Sequence, residues 1–545
     1  MHSAWFREPK LQTPGKRTSL AIAFASGMSV IAPWSRLAGA IEGPVRIEGG
    51  LVASGLSDGP EVRIFKGIPY AASPTGSRRW RPPQPVTPWS GVRRAETFGP
   101  SAMQIPRSPK GLGYDGPYAF SENCLYLNIW TAAKTAAERR PVLVWIHGGG
   151  FVDGAGSLSS YDGVHLCRKG VVVVTINYRL NVFGFLAHPE LSAESNRGVS
   201  GNYGLLDMIA AIKWTQRNIA AFGGDPRHIV IGGLSAGSAA VSALTASPLA
   251  KGDIVGAIGQ SVVFGRRGLG GNLPTLDESE RTGQEFAAAA GGRTVDELRA
   301  LSTQAIYDAY VKMGGAGRWG PVIDKWVLPH DVFEAEERGG GADIPILTGS
   351  MQNEGTFLVR PVSARDFAAQ SRVRFGEMAE SFLAFYPART EAEAAESQIL
   401  SVRDQLAWMH LHWAQLHTRN HHSAYLYLFT REIPLPPAPH YGFDNRRLPD
   451  WLGAFHGACK LYSFASLASQ PWPWTEADRG LADIMSSYWA NFITKGNPNG
   501  PGLPAWPVFG SAPDSIMDLG LAVRPISSNL ANAKAEFWAA FEQSR

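Results

Sequence analysis

The pentapeptide Gly233-Leu234-Ser235-Ala236-Gly237 constrains this chain more than any other stretch of it. The residues before it, Ile229-Val230-Ile231, form an apolar β-branched run, the pattern of a buried strand. Those after it, Ser238-Ala239-Ala240-Val241-Ser242-Ala243-Leu244, are small and helix-compatible. A strand that turns sharply into a helix needs glycine on both sides of the turn, because no Cβ fits there. The serine hydroxyl is then pushed out above the sheet, with a helix N-terminus beneath it. Glycine- and serine-rich turns match five residues by chance, so the flanking strand and helix carry the reading.

Apolar runs alternate with helical stretches around this turn. Pro141-Val142-Leu143-Val144-Trp145-Ile146 and Val171 to Ile176 read as buried strands. Asp207 to Trp214 reads as a helix, and Ile344 to Thr348 and Ala424 to Phe429 as further strands. Such alternation predicts an α/β fold, with a large, mostly parallel twisted sheet flanked by crossover helices. The stretch from 365 to 420, rich in Ala, Glu and Arg, predicts a helical insertion capping that sheet. No repeat or low-complexity linker divides residues 41–545, which are expected to form one domain despite the length of 545 residues.

Charge and cysteine content exclude several function classes. Lys and Arg number 51 against 47 Asp and Glu, a net +4, and the basic residues are scattered rather than striped, so no nucleic-acid surface is expected. Three cysteines, Cys124, Cys167 and Cys459, cannot build a disulfide framework, and none has metal-ligand spacing. Residues 1–40 have the layout of an export signal: a basic stretch ending at Lys16-Arg17, a mildly apolar segment from Leu20 to Ala32, and Ala38-Gly39-Ala40 as a cleavage site. The competing reading is a disordered N-terminal tail; export would make the protein secreted or periplasmic, and a plain tail would leave it cytoplasmic. No segment has the ~20 apolar residues of a membrane span, and nothing fixes the oligomeric state.

A second motif stands beside the serine turn. His147-Gly148-Gly149-Gly150-Phe151 directly follows the strand ending at Ile146. Consecutive glycines let backbone N–H groups approach a substrate oxygen, as in the donor loop after an early strand of an α/β-hydrolase sheet. A phosphate loop is excluded because no G-x-x-x-x-G-K-[ST] occurs. An acyl-transfer site also needs a base and an acid that orients it, in the chain order Ser, acid, His. Glu354 follows the strand at Ile344–Thr348, and His456 sits between small residues in Gly453-Ala454-Phe455-His456-Gly457. Spacing alone does not select these two among 13 histidines and many acids; Asp324 and Asp450 are alternative acids.

The chain resembles the type-B carboxylesterase family, which includes para-nitrobenzyl esterases, liver carboxylesterases and cholinesterases. The resemblance runs from about residue 43 to 541. It is carried in order by Phe65-Lys66-Gly67-Ile68-Pro69-Tyr70-Ala71, Arg81-Pro82-Pro83-Gln84-Pro85 and Ser121-Glu122-Asn123-Cys124-Leu125-Tyr126-Leu127-Asn128. Asn202-Tyr203-Gly204-Leu205-Leu206-Asp207, Asn218 to Pro226, Gly496-Asn497-Pro498-Asn499-Gly500 and Trp506-Pro507 continue it. The resemblance implies an α/β-hydrolase fold with helical cap insertions and hydrolysis of a small-molecule carboxylic ester, with no metal and no cofactor. It implies Ser235 as nucleophile, Glu354 as acid and His456 as base, with Gly149, Gly150 and Ala236 donating the oxyanion-hole N–H groups. A lipase or broad generalist esterase is the rival within enzymes. A non-catalytic binding homologue is the rival outside them, and such homologues typically lose the nucleophile.

Three departures set this chain apart from the family pattern. Leu234 replaces the glutamate usual before the serine, and Cys459 replaces the one usual three residues after the histidine. Ala102 replaces the cysteine that the family often pairs with the equivalent of Cys124, which implies that this disulfide is missing. The loss of two acids coincides with nearby cations. Arg266 and Arg267 follow Gln260-Ser261 near the family's acyl pocket, Arg360 follows Phe357 and Leu358, which match the family's pocket-lining positions, and Lys460 follows the histidine motif. Phe357, Leu358, Arg360, Arg266 and Arg267 are therefore the expected substrate pocket. The expected preference is for an anionic ester, of a di- or tricarboxylic acid as in fumonisin-type toxins, because the planar guanidinium binds both carboxylate oxygens; the competing reading is that these side chains point to solvent, which leaves a generalist esterase.

Overall fold

The ten strands that build the main sheet appear in the chain as β1 (Arg63–Pro69), β2 (Tyr126–Thr131), β3 (Arg140–Ile146), β4 (Val172–Ile176), β5 (Gly224–Leu234), β6 (Gly256–Gln260), β7 (Ile346–Met351), β8 (Ala424–Phe429), β9 (Ile516–Leu519) and β10 (Arg524–Ile526). In this computed structural model their lateral order is β10-β9-β8-β7-β6-β5-β3-β4-β2-β1. Every neighbouring pair from β9 through β4 is parallel, while β10, β2 and β1 pair antiparallel at the two edges. The parallel strands are apolar on both faces: β4, β6, β7 and β8 have every residue buried. A parallel sheet of this kind must be covered on both sides by helices, which is the α/β-hydrolase architecture the resemblance implies.

The structure describes residues 43–54, 61–106, 119–268, 271–315, 318–436, 442–443, 446–447, 451–513, 515–528 and 530–544. The expected export segment at 1–40 and the alternative acid Asp450 lie outside them. All of the described residues belong to one compact unit, Ala38–Arg545. Among them, no helix is long and apolar enough to cross a membrane.

Element boundaries move relative to the sequence pattern for local reasons. The helix expected at Asp207–Trp214 runs Tyr203–Asn218, its first turn closed by Leu206 N–H on the Asn202 carbonyl. The strand expected at Ile344–Thr348 starts at Ile346 and continues to Met351; Pro345 lacks an N–H and lies before it. The 365–420 insertion resolves into helices Ala364–Phe375, Ala379–Phe385 and Glu391–Arg419. The last packs along β7 and β8.

Two of the motifs quoted above hold the frame through buried ion pairs. Asp207 accepts from both Nε and Nη2 of Arg179 at 2.7 Å, and the two side chains are 0% and 1% exposed. Glu122 is held in the same forked manner by Arg79, at 2.5 and 2.7 Å. Removing one partner of such a pair strands a buried charge, at a cost of about 3–5 kcal/mol. These residues therefore fix the sheet, and none of them touches the serine.

Candidate active site

Register brings the functional loops to one edge of the sheet. Ile146, the last residue of β3, lies opposite Gly233 of β5, and Leu234 lies opposite Gln260, the last residue of β6. The loops leaving β3, β5, β6, β7 and β8 therefore emerge side by side at the carboxyl ends of parallel strands. The lateral order reverses around β3, and open α/β sheets bind ligands at such a point.

Ser235 is the residue between β5 and the helix Ala236–Ala246. Its φ is +58° and its ψ −125°, a conformation that costs a non-glycine residue about 1–3 kcal/mol. The surroundings hold it there. A Cβ on Gly237 would meet the Ile146 carbonyl oxygen at 2.1 Å, and one on Gly233 would meet the Gly237 carbonyl at 2.4 Å. The Ser235 N–H donates to the Gln260 carbonyl at 2.8 Å, tying the elbow to β6. A serine at a helix N-cap ordinarily uses its hydroxyl to cap the first turn. Here it makes no such bond. Instead Ser235 Oγ lies 2.9 Å from Nε2 of His456.

On its other side the imidazole meets Glu354. His456 Nδ1 and Glu354 Oε2 are 2.5 Å apart, and the second oxygen, Oε1, accepts the Met351 N–H at 2.9 Å. Glu354 is fully buried and His456 is 8% exposed. A carboxylate only accepts hydrogen bonds, so Nδ1 is the donor and Nε2 is left to accept the Ser235 hydroxyl. Ser235, His456 and Glu354 are thus brought into one connected line from positions 221 and 102 residues apart. The alternative acid Asp324 is committed elsewhere: its carboxylate accepts the N–H groups of Trp326, Val327 and Leu328 and the Asn202 amide.

The glycine loop runs directly alongside the serine. A Cβ on Gly148 would fall 2.5 Å from the Leu234 carbonyl oxygen and 2.9 Å from the Ser235 Cβ, so only glycine permits this approach. The loop is anchored at both ends. The His147 ring stacks on Tyr178 at 4.4 Å, and the Tyr178 hydroxyl donates to the His147 carbonyl at 2.9 Å. Gln104 clasps Gly154 with two reciprocal bonds of 2.9 Å. The Gly149 carbonyl is turned inward, accepting from Val152 and Asp153. Among the described residues no protein acceptor takes the Gly149 or Gly150 N–H. The Ala236 N–H is at the first turn of its helix, where no intrahelical partner exists.

The expected pocket residues divide. The half-buried Phe357 lies nearly parallel to the His456 ring at 6.2 Å and also against Phe455 at 5.9 Å. Leu358 is half-buried at the end of the short helix Glu354–Leu358, and Arg360 is exposed just beyond it. Arg267 is drawn instead to the C-terminal segment that contains the helix Asn532–Gln543, and the Arg266 side chain is exposed. The Arg267 N–H donates to Glu542, and its guanidinium donates to the Ser544 carbonyl and lies 5.0 Å over Phe541. The Arg266 backbone also meets Glu542. Lys460 sits 5.7 Å over the Tyr161 ring.

Near Glu354 and His456, the two positions that depart from the family pattern carry neutral side chains. Leu234 is buried, with its Cδ2 against Gly457. Cys459 Sγ donates to Gln260 Oε1 at 3.3 Å and lies 3.9 Å from the Tyr427 hydroxyl. Burial, and then the neighbouring Glu354 charge, push the Cys459 thiol well above its ordinary pKa, which disfavours the thiolate that a nucleophilic cysteine needs. All three cysteines are buried and free, Cys124 included. Cys459→Ala is expected to keep kcat within about threefold of wild type and to lose about 1 kcal/mol of stability as a small buried truncation. Ester hydrolysis and thermal melting of the variant check this; a folded but inactive Cys459→Ala would assign the thiol a role in turnover.

Residues 42–538 match the model of the carboxylesterase family. The chain is 36% identical over 513 residues to fumonisin B1 esterase of Sphingopyxis macrogoltabida, covering 90% of each sequence. It is 33% identical to para-nitrobenzyl esterase of Bacillus subtilis (strain 168), covering 82% of this chain and 89% of that one. Among solved structures, the Geobacillus stearothermophilus carboxylesterase EST55 superposes with a TM-score of 0.76 at 32% identity, over 91% of this chain and 99% of that one.

Proposed function

The chain belongs to the carboxylesterase family and is a carboxylic ester hydrolase, and we propose that it works through a Ser235–His456–Glu354 triad and an acyl-enzyme. The observation that carries this reading is the unbroken line from Ser235 Oγ through the imidazole to Glu354, at 2.9 and 2.5 Å. Ser235 Oγ attacks the ester carbonyl while His456 Nε2 takes its proton. Negative charge develops on the carbonyl oxygen and is met by the N–H groups of Gly149, Gly150 and Ala236. The imidazolium then protonates the departing alkoxide, so the alcohol leaves and the acyl group stays on Ser235. Water repeats the sequence with His456 as base, releasing the acid and the free serine. Glu354 stabilises the imidazolium in both halves. A fluorophosphonate probe should label Ser235 stoichiometrically, located by peptide mass analysis. Labelling of a different serine would overturn the assignment.

The substrate proposed is an anionic ester, of a di- or tricarboxylic acid. A relative named for its action on fumonisin B1 supports this, as do the two family acids replaced by Leu234 and Cys459. Arg360 is the cation of this reading, exposed two residues beyond the helix that Glu354 begins; Arg266 is exposed as well, while the Arg267 guanidinium is held by the C-terminal segment. A half-ester with a free carboxylate is expected to be cleaved about tenfold more efficiently in kcat/KM than its neutral diester, a difference of ~1.4 kcal/mol. Added salt should shrink that ratio, since an exposed charge is screened, and Arg360→Ala should abolish it. Equal rates at low salt, or faster cleavage of neutral or long-chain esters, would return the enzyme to a generalist esterase or a lipase.

A further inference from the structure

The acid and the base of the triad reach each other from separate loops, and the structure contains a short set of bonds that joins those loops. Asn353 immediately precedes Glu354 and stands at the N-cap of the helix Glu354–Leu358. Asparagine in that position normally caps the helix with its side-chain oxygen. Asn353 does not. Its Oδ1 reaches across to accept the Ala454 N–H at 3.0 Å, two residues before His456. Its own N–H donates to the Ala454 carbonyl at 3.0 Å, and Asn353 pairs with Phe455 as an isolated parallel bridge. The backbone of the acid loop is therefore bonded to the backbone of the base loop directly beside the Glu354–His456 contact. Thr356 adds a second tie, its hydroxyl lying 2.7 Å from the Asn353 carbonyl and 2.8 Å from the Leu452 carbonyl. The base loop is shaped to receive this side chain. Gly453 has φ +61°, and a Cβ there would come 2.4 Å from Asn353 Oδ1.

We propose that Asn353 is a positioning residue of the ester hydrolysis: its amide oxygen holds the base loop at the height at which His456 Nδ1 meets Glu354. This rests on the triad reading above. The bonds to Ala454 are local, and the loops they join carry the acid and the base whose contact orients the imidazole toward Ser235. No part of Asn353 touches Ser235 or the glycine loop. Loss of the amide oxygen leaves the Ala454 N–H without its partner and lets the base loop shift relative to the acid. A displacement of about 1 Å at a reacting group costs on the order of 100-fold in rate. Substrate binding, which depends on the pocket rather than on the imidazole–carboxylate distance, should be little changed.

The test compares Asn353→Ala and Asn353→Asp with wild type at about pH 8.5, where an ordinary histidine is neutral. Aspartate keeps an oxygen in the same place and can accept the Ala454 N–H; alanine cannot. Asn353→Ala is expected to lose about 10- to 100-fold in kcat with KM within about twofold, and to react correspondingly more slowly with a fluorophosphonate at Ser235. Asn353→Asp is expected to stay within about threefold of wild type in both. Wild-type kcat and labelling rate in Asn353→Ala would overturn the proposal. So would equal damage in the two variants, or parallel loss of kcat, KM and melting temperature, either of which marks a merely structural role. Failure of the triad reading looks different: the wild-type enzyme itself would then not label at Ser235.

Discussion

Ser235→Ala is expected to lower kcat by about a million-fold while leaving the fold and KM nearly unchanged. That is the scale of loss seen when a serine hydrolase loses its nucleophile and keeps the rest of its machinery. The substitution suits this position because it alters chemistry alone. Alanine retains a Cβ, so it inherits the φ of +58° at the elbow without new strain. The backbone bond from residue 235 to the Gln260 carbonyl also survives. What disappears is Oγ and its 2.9 Å contact with His456 Nε2. Neighbouring serines cannot substitute. Ser238 is fully buried, with its hydroxyl donated to the Val262 carbonyl at 2.6 Å, and Ser242 is spent on the Ala239 carbonyl. Residual hydrolysis should be the slow rate that the Gly149, Gly150 and Ala236 donors support by attack of water. Steady-state and single-turnover kinetics of the purified variant, beside its melting curve, measure this. A folded Ser235→Ala enzyme with substantial turnover would mean that the wrong nucleophile has been named.

The serine turn and the glycine loop were legible in the sequence because each is a short motif. Gly233 is demanded by Gly237 within the turn itself; Gly237 and Gly148 are demanded across the β3–β5 contact, yet each lies in a short motif that follows an apolar strand and is visible without its partner. The strands were legible for a related reason, since a run such as Val171 to Ile176 is apolar throughout only if both faces are covered. Glu354 and His456 were different. They meet across 102 residues, and their pairing depends on the adjacency of β7 and β8, which no local pattern encodes. Only the resemblance to a family pointed to them. Asn353 was invisible for the same reason: its partner Ala454 lies 101 residues away, and an asparagine ahead of a short helix reads as an ordinary cap.

Arg267 shows how quickly a chain diverges from a motif. Arg266 and Arg267 follow Gln260-Ser261 closely in sequence, and the resemblance to the family's acyl pocket set them among the expected pocket residues. Ser261, with φ +81°, turns the chain at the sheet edge, and Val263 and Phe264 are buried. By residue 267 the side chain meets Phe541 and Ser544 of the C-terminal segment. Proximity to a motif in sequence survives only as far as the first turn. Arg360 is subject to the same rule but has less chain in which to diverge, because the helix Glu354–Leu358 carries it from the acid itself.

Glu354→Gln is expected to fold normally and to lose about 10,000-fold in kcat, the loss found when a triad acid becomes an amide. The reason is specific to the two bonds that Glu354 makes. One oxygen accepts the Met351 N–H at 2.9 Å and the other accepts from His456 Nδ1 at 2.5 Å. A glutamine has a single acceptor oxygen for these two donors. Both sites are fully buried on the Glu354 side, so no solvent can serve the one left over. If the amide oxygen stays with Met351, the NH2 group faces Nδ1 and can be satisfied only when Nδ1 becomes the acceptor. The ring then carries its proton on Nε2, and Nε2–H cannot take the Ser235 proton. If the oxygen turns to His456, the Met351 N–H is stranded against an NH2 group, which costs about 1–3 kcal/mol, and the imidazolium still lacks a counter-charge. Either arrangement slows the chemical step and leaves the pocket untouched, so KM should move little and fluorophosphonate labelling of Ser235 should slow in proportion to kcat. Kinetics and probe labelling of the same folded preparation provide the check. Activity within tenfold of wild type would remove Glu354 from the triad.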